Sequence, residues 1–233
     1  MARGERWLGP MRPFVHARLP PPPASIIELG CGSEGGFVPA LRERGYEVVG
    51  VDREAPEGAG FVRADFEAYE PSRPVDAIVA SRSLHHVADL DAVLDRAAAA
   101  LRPGGTILVL EWSWEHFDEA TARWCFSRLD GSTGEQRGWL ERRRAGWLAS
   151  GLTWGAYFQE WAEGHGLRRS EHVVQGLDAR FERASCEHGP YFFADLGEGA
   201  EREEQAAIDA GAIRAGGVRY VARGLERPSA SAA

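Results

Sequence analysis

Gly30, Gly32 and Gly35, with Glu28 before them and Asp52 and Arg53 after, are the residues whose types and spacing best suit a nucleoside ligand. A glycine has no Cβ, so the chain can turn sharply there and a flat ligand can lie against its backbone. Asp52 closes an apolar run, a position from which a carboxylate accepts hydrogen bonds from a ribose diol. Cys31, inside the turn, needs only to be small. Two further pairs could move protons: His85 and His86 after one apolar run, Glu115 and His116 after another. A histidine titrates near neutral pH and can serve as a general base, although each of these four can equally be a hydrogen-bonded structural residue. No tight group of carboxylates and no C-x-x-C pair marks a metal site, so none is expected.

The pattern G-x-G-x-x-G with an acid about 20 residues later also describes a dinucleotide site, so a nicotinamide or flavin enzyme has to be weighed. Glu28 bears on the choice. A carboxylate at the mouth of the turn would repel the pyrophosphate that a helix N-terminus attracts, and would suit a cationic ligand. S-adenosyl-L-methionine carries a sulfonium and an ammonium and no phosphate.

Glu28-Leu29-Gly30-Cys31-Gly32 resembles the first motif of the seven-strand, Rossmann-like S-adenosylmethionine-dependent methyltransferases, and the similarity continues in order along the chain. Asp65-Phe66 is similar to the family's adenine-contacting acid and its neighbour. Val75-Asp76-Ala77-Ile78-Val79-Ala80-Ser81 is similar to its fourth strand, and Ser83-Leu84-His85-His86-Val87 to the turn that follows in many small-molecule members. Leu101-Arg102-Pro103-Gly104-Gly105-Thr106 matches the loop before a fifth strand running from Ile107 to Glu111. The resemblance implies Glu28 and the Gly30 backbone near the methionine end of the cofactor, Asp52 at the ribose, Asp65 and Phe66 at the adenine, and the Ser81 main chain near the aminoacyl group. One departure stands out: Glu34 occupies the place of the third glycine in G-x-G-[ST]-G, and Gly35 reads as that glycine displaced by a one-residue insertion.

The elements that must position these residues form the alternating strand and helix pattern of an α/β domain. The resemblance implies a doubly wound, mostly parallel seven-stranded sheet with its last strand antiparallel. Helices are expected at 36–44 and 90–101, the second with an apolar stripe of Leu90, Val93, Leu94, Ala97, Ala98 and Leu101. Residues 1–24 form an N-terminal arm ending in four prolines; its Trp7, Leu8, Met11, Phe14 and Val15 recur at near-helical spacing, which suits docking over the cofactor, with a disordered start as the alternative. The domain proper covers 25–233.

Seven of the eight tryptophans fall between 112 and 161. Each can bury about 150–250 Å², so these rings must form a core or a pocket. The segment 112–165 reads as a helical cap, with helices at 117–129, 135–149 and 154–164, and in the resembled family such an insertion covers the acceptor site. A sixth strand is expected at 172–174 or 179–183, a helix at 201–212 and the last strand at 218–222. The aromatics of 188–195 read as core.

With 233 residues the chain has room for one sizeable domain. Its net charge of −8 argues against a nucleic-acid partner, since phosphate binding relies on basic groups. All 27 basic residues are arginine. Three widely spaced cysteines point to free thiols in a reducing compartment. The chain shows no apolar stretch for a signal or membrane span, so no membrane partner and a cytoplasmic location are expected, as a monomer or homodimer. The leading expectation is S-adenosyl-L-methionine-dependent methyl transfer to a small apolar or aromatic acceptor. Three rivals remain: a nucleic-acid or protein methyltransferase, a cofactor-binding protein without transfer, and a non-methylating enzyme using the same cofactor.

Overall fold

The computed structural model describes residues 3–129 and 138–225. The expected helix start at Glu135 lies outside them. So does the Ser/Ala tail after Pro228.

Seven strands make one sheet: β1 (Ser25–Leu29), β2 (Glu47–Asp52), β3 (Phe61–Arg63), β4 (Val75–Ser81), β5 (Leu101–Trp112), β6 (Phe181–Gly189) and β7 (Gly217–Gly224). Their order is β3-β2-β1-β4-β5-β7-β6. The strands from β3 through β5 pair in parallel, and β7 runs antiparallel to both β5 and β6. Parallel strands carry their connecting helices on both faces of the sheet, which is why β1 and β4 are apolar on both sides. Ile26, Val48, Ala77, Val79, Leu108 and Leu110 face one core. Ile27, Val51, Ile78, Ala80, Ile107 and Val109, one residue out of step, face the other.

Helices α1 (Arg3–His16) and α2 (Val38–Glu43) cover the first face. Helices α3 (Leu90–Ala100) and α7 (Ser170–Asp178) cover the second. Asp89 starts α3 by accepting the Ala92 N–H at 2.9 Å, the usual way of satisfying an orphan donor in a first turn.

Between β5 and α7 stand α4 (Glu119–Phe126), α5 (Trp139–Ser150) and α6 (Trp154–Gly164), packed around a third, aromatic cluster. After β6 come the short α8 (Phe193–Leu196) and α9 (Ala200–Asp209). No helix among the described residues is long and apolar enough to cross a membrane.

One expectation is corrected. Residues 172–174 belong to α7, because Val173 and Leu177, four apart, sink together into the core while Glu171 and His172 stay out. The N-terminal segment packs as α1: Trp7, Leu8, Met11, Phe14 and Val15 are all buried in the first core, and the Arg6 Nε donates to the Ala194 carbonyl at 2.9 Å. At roughly 25 cal/mol per Å², burying two large aromatic rings outweighs leaving the arm loose.

Candidate active site

The glycine turn after β1 is built around a buried carboxylate. Glu28 is fully enclosed, and both its oxygens accept the Phe37 N–H, at 2.8 and 3.0 Å. Gly36 makes this fit possible: its φ is +55°, and a Cβ there would come within 2.2 Å of Glu28 Oε1. Gly30, at φ +86°, has the same necessity, since a Cβ would meet Ser83 Cβ at 2.3 Å. Burial, opposed by the N–H donors of Phe37 and Val38, pushes the Glu28 carboxyl up to about 8. Glu28 therefore fixes the turn from beneath and does not line the cavity, contrary to its expected place at the mouth. The acids on the cavity lining are Asp52, Glu54, Asp65, Glu67 and Asp195 instead. Gly35 also stays off the lining, its φ of +83° set by the turn's passage over Phe61.

Strands β1 and β4 are neighbours whose chains leave in opposite directions, the crevice where open α/β sheets bind ligands. A cavity of about 700 Å³ opens there. Gly30, Cys31, Gly32, Asp52, Arg53, Asp65, Phe66 and Ser81 all line it. Asp52 braces the turn as well as facing the cavity: Oδ2 accepts the Gly32 N–H at 3.0 Å and Oδ1 the Glu54 N–H at 2.8 Å. Asp65 is ion-paired with the exposed Arg53. Burial, then the nearby Glu28 and Asp52, push the Cys31 thiol up to about 12, which keeps it neutral.

Arg82, after β4, lies outside the expected set. It has a φ of +52°, rare for a residue with a side chain. Its guanidinium stacks 4.4 Å from the Trp7 ring, and its buried Nε has no hydrogen-bond partner.

At the neighbouring strand end, Glu111 gathers the loop after β4 by accepting N–H groups of Ser83 at 2.8 Å and Leu84 at 2.6 Å on one oxygen. Its other oxygen accepts from Trp112 at 3.1 Å and pairs with His85 Nδ1. Burial opposes ionisation of Glu111, but His85 and these donors outweigh it, and its pKa falls below the ordinary carboxylate range. His85 and His86 both line the cavity, their rings 4.1 Å apart. His86 is exposed at the wall, yet desolvation of its ring and then the neighbouring His85 lower its pKa. With so much of its surface open to solvent, only that direction bears on the chemistry: the ring is neutral at neutral pH.

Glu115 and His116 are not brought to the cavity, which corrects their expected candidacy as bases. Glu115 Oε1 accepts from Ser170 Oγ at 2.7 Å, tying down the start of α7, and His116 Nδ1 lies 3.0 Å from the Ala215 carbonyl. Their turn, Trp114–His116, points its polar groups at the α7 and β7 approaches rather than across the sheet edge.

The far wall is aromatic. Trp112, Trp139 and Trp161 line it with Leu167, Tyr191 and Phe192, and Tyr191 stacks on Trp112 with ring centres 5.4 Å apart. Trp114 and Trp154 are core, and Trp124 and Trp147 pack against it. Tyr191 and Phe192, which the sequence reads as core, reach the cavity because the buried Glu204 of α9 accepts their N–H groups at 2.7 and 3.1 Å and curls the segment inward. His165 and Asp195 complete the polar lining of this end. Neither Glu204 nor Asp195 carries a local signal: both sit in ordinary acidic helical sequence.

Residues 5–172 match a family model described as a methyltransferase domain. The chain is similar to the ubiquinone biosynthesis O-methyltransferase of Bradyrhizobium sp. (strain ORS 278), 32% identical over 107 residues, 40% of this chain and 42% of that protein. It is also similar to the trans-aconitate 2-methyltransferase of Paracidovorax citrulli (strain AAC00-1), 34% identical over 106 residues, 40% and 41% of the two chains. The match thus spans about two fifths of the length of these relatives. Among solved structures, an S-adenosylmethionine dependent methyltransferase from Mesorhizobium loti superposes with a TM-score of 0.55 at 21% identity, covering 91% of this chain and 97% of its own, a likeness of fold.

Proposed function

Because this chain belongs to the methyltransferase domain family, we propose that its cavity holds S-adenosyl-L-methionine at the β1–β4 end and a flat, uncharged aromatic acceptor at the tryptophan end. The protein then transfers the methyl group from one to the other. The observation that carries this reading is continuity: one cavity of about 700 Å³ runs from Gly30, Gly32 and Asp52 to Trp112, Trp139 and Trp161.

The residues present fit the cofactor. Gly32 lines the cavity with nothing within 4 Å of where a Cβ would stand, so the turn leaves space against its backbone. Asp52 offers a carboxylate for a ribose diol, Asp65 and Phe66 an acid and a ring for a base, and Arg82 an unpartnered buried Nε for a carboxylate. The cofactor supplies an electrophilic methyl carbon on a positively charged sulfur. What the chain supplies is alignment and exclusion of water, and alignment alone can account for about 7–11 kcal/mol of a barrier.

The far wall supports this acceptor class. Its polar side chains include His85, His86, His165, Tyr191 and Asp195, whereas Arg53 and Arg82, the arginines of the lining, stand at the β2 and β4 ends. A tricarboxylate such as the one named for the Paracidovorax relative calls for several cations there, so it is the weaker reading.

Calorimetry with S-adenosylmethionine and S-adenosylhomocysteine, followed by mass spectrometry of a panel of phenols, catechols and polycarboxylates, tests both parts. Binding of the cofactor and a gain of one methyl on the aromatic hydroxyls is expected. Binding without methyl gain in any acceptor favours a cofactor-binding protein, and preference for a polycarboxylate overturns the acceptor class.

A further inference from the structure

We propose that Glu111 and His85 form a base dyad that takes the proton from an acceptor hydroxyl, which makes oxygen the atom methylated. This rests on the reading of the cavity given above and adds where the proton goes.

Glu111 is 2% exposed, and its four described contacts, with three backbone N–H groups and one ring nitrogen, hold its carboxylate in a single place. A carboxylate on Nδ1 makes that nitrogen the N–H donor, which leaves Nε2 as the basic nitrogen of the ring. Nε2 of His85 has no hydrogen-bond partner among the described residues, it is not sealed from solvent, and the residue lines the cavity. The rest of His85 is fixed too. Its carbonyl accepts the Arg168 N–H at 3.0 Å, and the Trp112 ring meets it edge-on at 6.1 Å.

A carboxylate needed only to hold the loop would not require an imidazole on it. The competing bases are less well placed. Among the described residues His86 has no hydrogen-bond partner on its ring and no carboxylate orienting it, and its surroundings disfavour the proton. Asp195 stands on the α8 wall, and His165 follows α6 with its Nδ1 2.7 Å from the Trp161 carbonyl. Tyr191 shares this wall, and Arg82, Cys31, Asp52, Arg53, Glu54, Asp65 and Glu67 are the remaining titratable or charged groups of the lining.

In the reaction the hydroxyl proton moves to His85 Nε2, giving an imidazolium paired with Glu111. The oxygen's electron pair forms the bond to the methyl carbon while the carbon–sulfur bond breaks with its pair left on sulfur. The positive charge lost at sulfur is thus regained on the imidazole, in contact with a carboxylate already present. The proton returns to solvent after the methylated product leaves.

The test uses the full chain with S-adenosylhomocysteine bound and 4-nitrophenol as probe, within a series of phenols of graded acidity. The phenolate of 4-nitrophenol absorbs visibly, so the ionisation of the bound phenol is read without any methyl transfer. In the wild type it is expected to ionise at least one pH unit below the free compound. In His85→Gln and Glu111→Gln it should ionise at or above the free value, with S-adenosylhomocysteine affinity within about threefold of wild type as the check on folding. Transfer to an unactivated phenol should fall by about 10²–10⁴-fold in His85→Gln, and far less to the pre-ionised nitrophenol. Should Glu111→Gln fail to bind S-adenosylhomocysteine, His85→Gln and His85→Phe decide the matter alone. Equal ionisation in wild type and folded variants overturns the dyad and leaves the cavity reading standing. If no phenol of the series binds the wild type, the aromatic acceptor and the dyad fall together.

Discussion

Glu204 Oε2 accepts the Phe193 N–H at 2.8 Å, while Oε1 accepts those of Tyr191 at 2.7 Å and Phe192 at 3.1 Å. Glu28 under the glycine turn and Glu111 under the histidine turn repeat the device. Three buried carboxylates each hold one loop of the cavity by its backbone donors, where a lost acceptor leaves N–H groups unsatisfied at about 1–3 kcal/mol each.

Two of these carboxyls make stability depend on pH. Burial pushes Glu204 up to about 7 and Glu28 up to about 8 against their N–H donors. Unfolded, each titrates near 4.3. A raised folded pKa contributes stability that is complete below the unfolded value and is lost as pH rises through the folded one. The melting temperature should therefore fall between about pH 4.5 and 8 and level off above, by about 2–4 °C for each kcal/mol in a chain of this size. Glu204→Gln should make the slope between about pH 4.5 and 7 shallower; an unchanged slope in that variant would show that the carboxyl is not held protonated there.

Gly36→Ala tests the turn. The substitution forces a side chain onto a φ of +55° and into Glu28 Oε1 at 2.2 Å. A loss of at least about 2 kcal/mol by urea denaturation is expected, together with weaker cofactor binding. Gly151→Ala, at φ +68° with open space around it, is the control and should cost only about 1 kcal/mol. Similar losses at the two positions would mean that the contact with Glu28 adds nothing.

Arg82→Met separates the two ends of the cofactor. If the guanidinium over Trp7 receives the amino-acid carboxylate, S-adenosylhomocysteine should bind about 10-fold more weakly, a loss in the range of one charge-assisted hydrogen bond. Methylthioadenosine, which lacks that carboxylate, should bind as before. Equal weakening of both ligands assigns Arg82 to the fold instead.

Asp52→Ala removes an acceptor from the Gly32 and Glu54 N–H groups and, on the proposed reading, from the cofactor ribose. Calorimetry should show cofactor affinity lower by at least about fivefold. Asp52→Asn retains one oxygen for the turn and should recover part of the loss. Affinity equal to wild type in a folded Asp52→Ala variant excludes the residue from the ribose site.

The sequence alone determined the scaffold. Alternating apolar runs, the glycines at 30, 32 and 35, Asp52 and the ordered motifs out to Thr106 all act within a few residues of themselves, through φ preferences, period-two burial and strand ends, so they could be read along the chain. The crowding of tryptophans between 112 and 161 likewise announced an aromatic cluster. Which rings became wall and which became core was decided only in three dimensions, because that depends on what a helix packs against, as Trp154 and Trp161 on the same helix show. Tertiary structure also chose the partners of the acids. Glu28 turned under its loop instead of into the cavity, Glu111 met His85 across two strands, and Glu204 drew Tyr191 and Phe192 inward. The hydrogen-bond partner of a buried carboxylate is set by the backbone donors that folding carries to it, and nothing in the local sequence of the acid encodes where those donors will be.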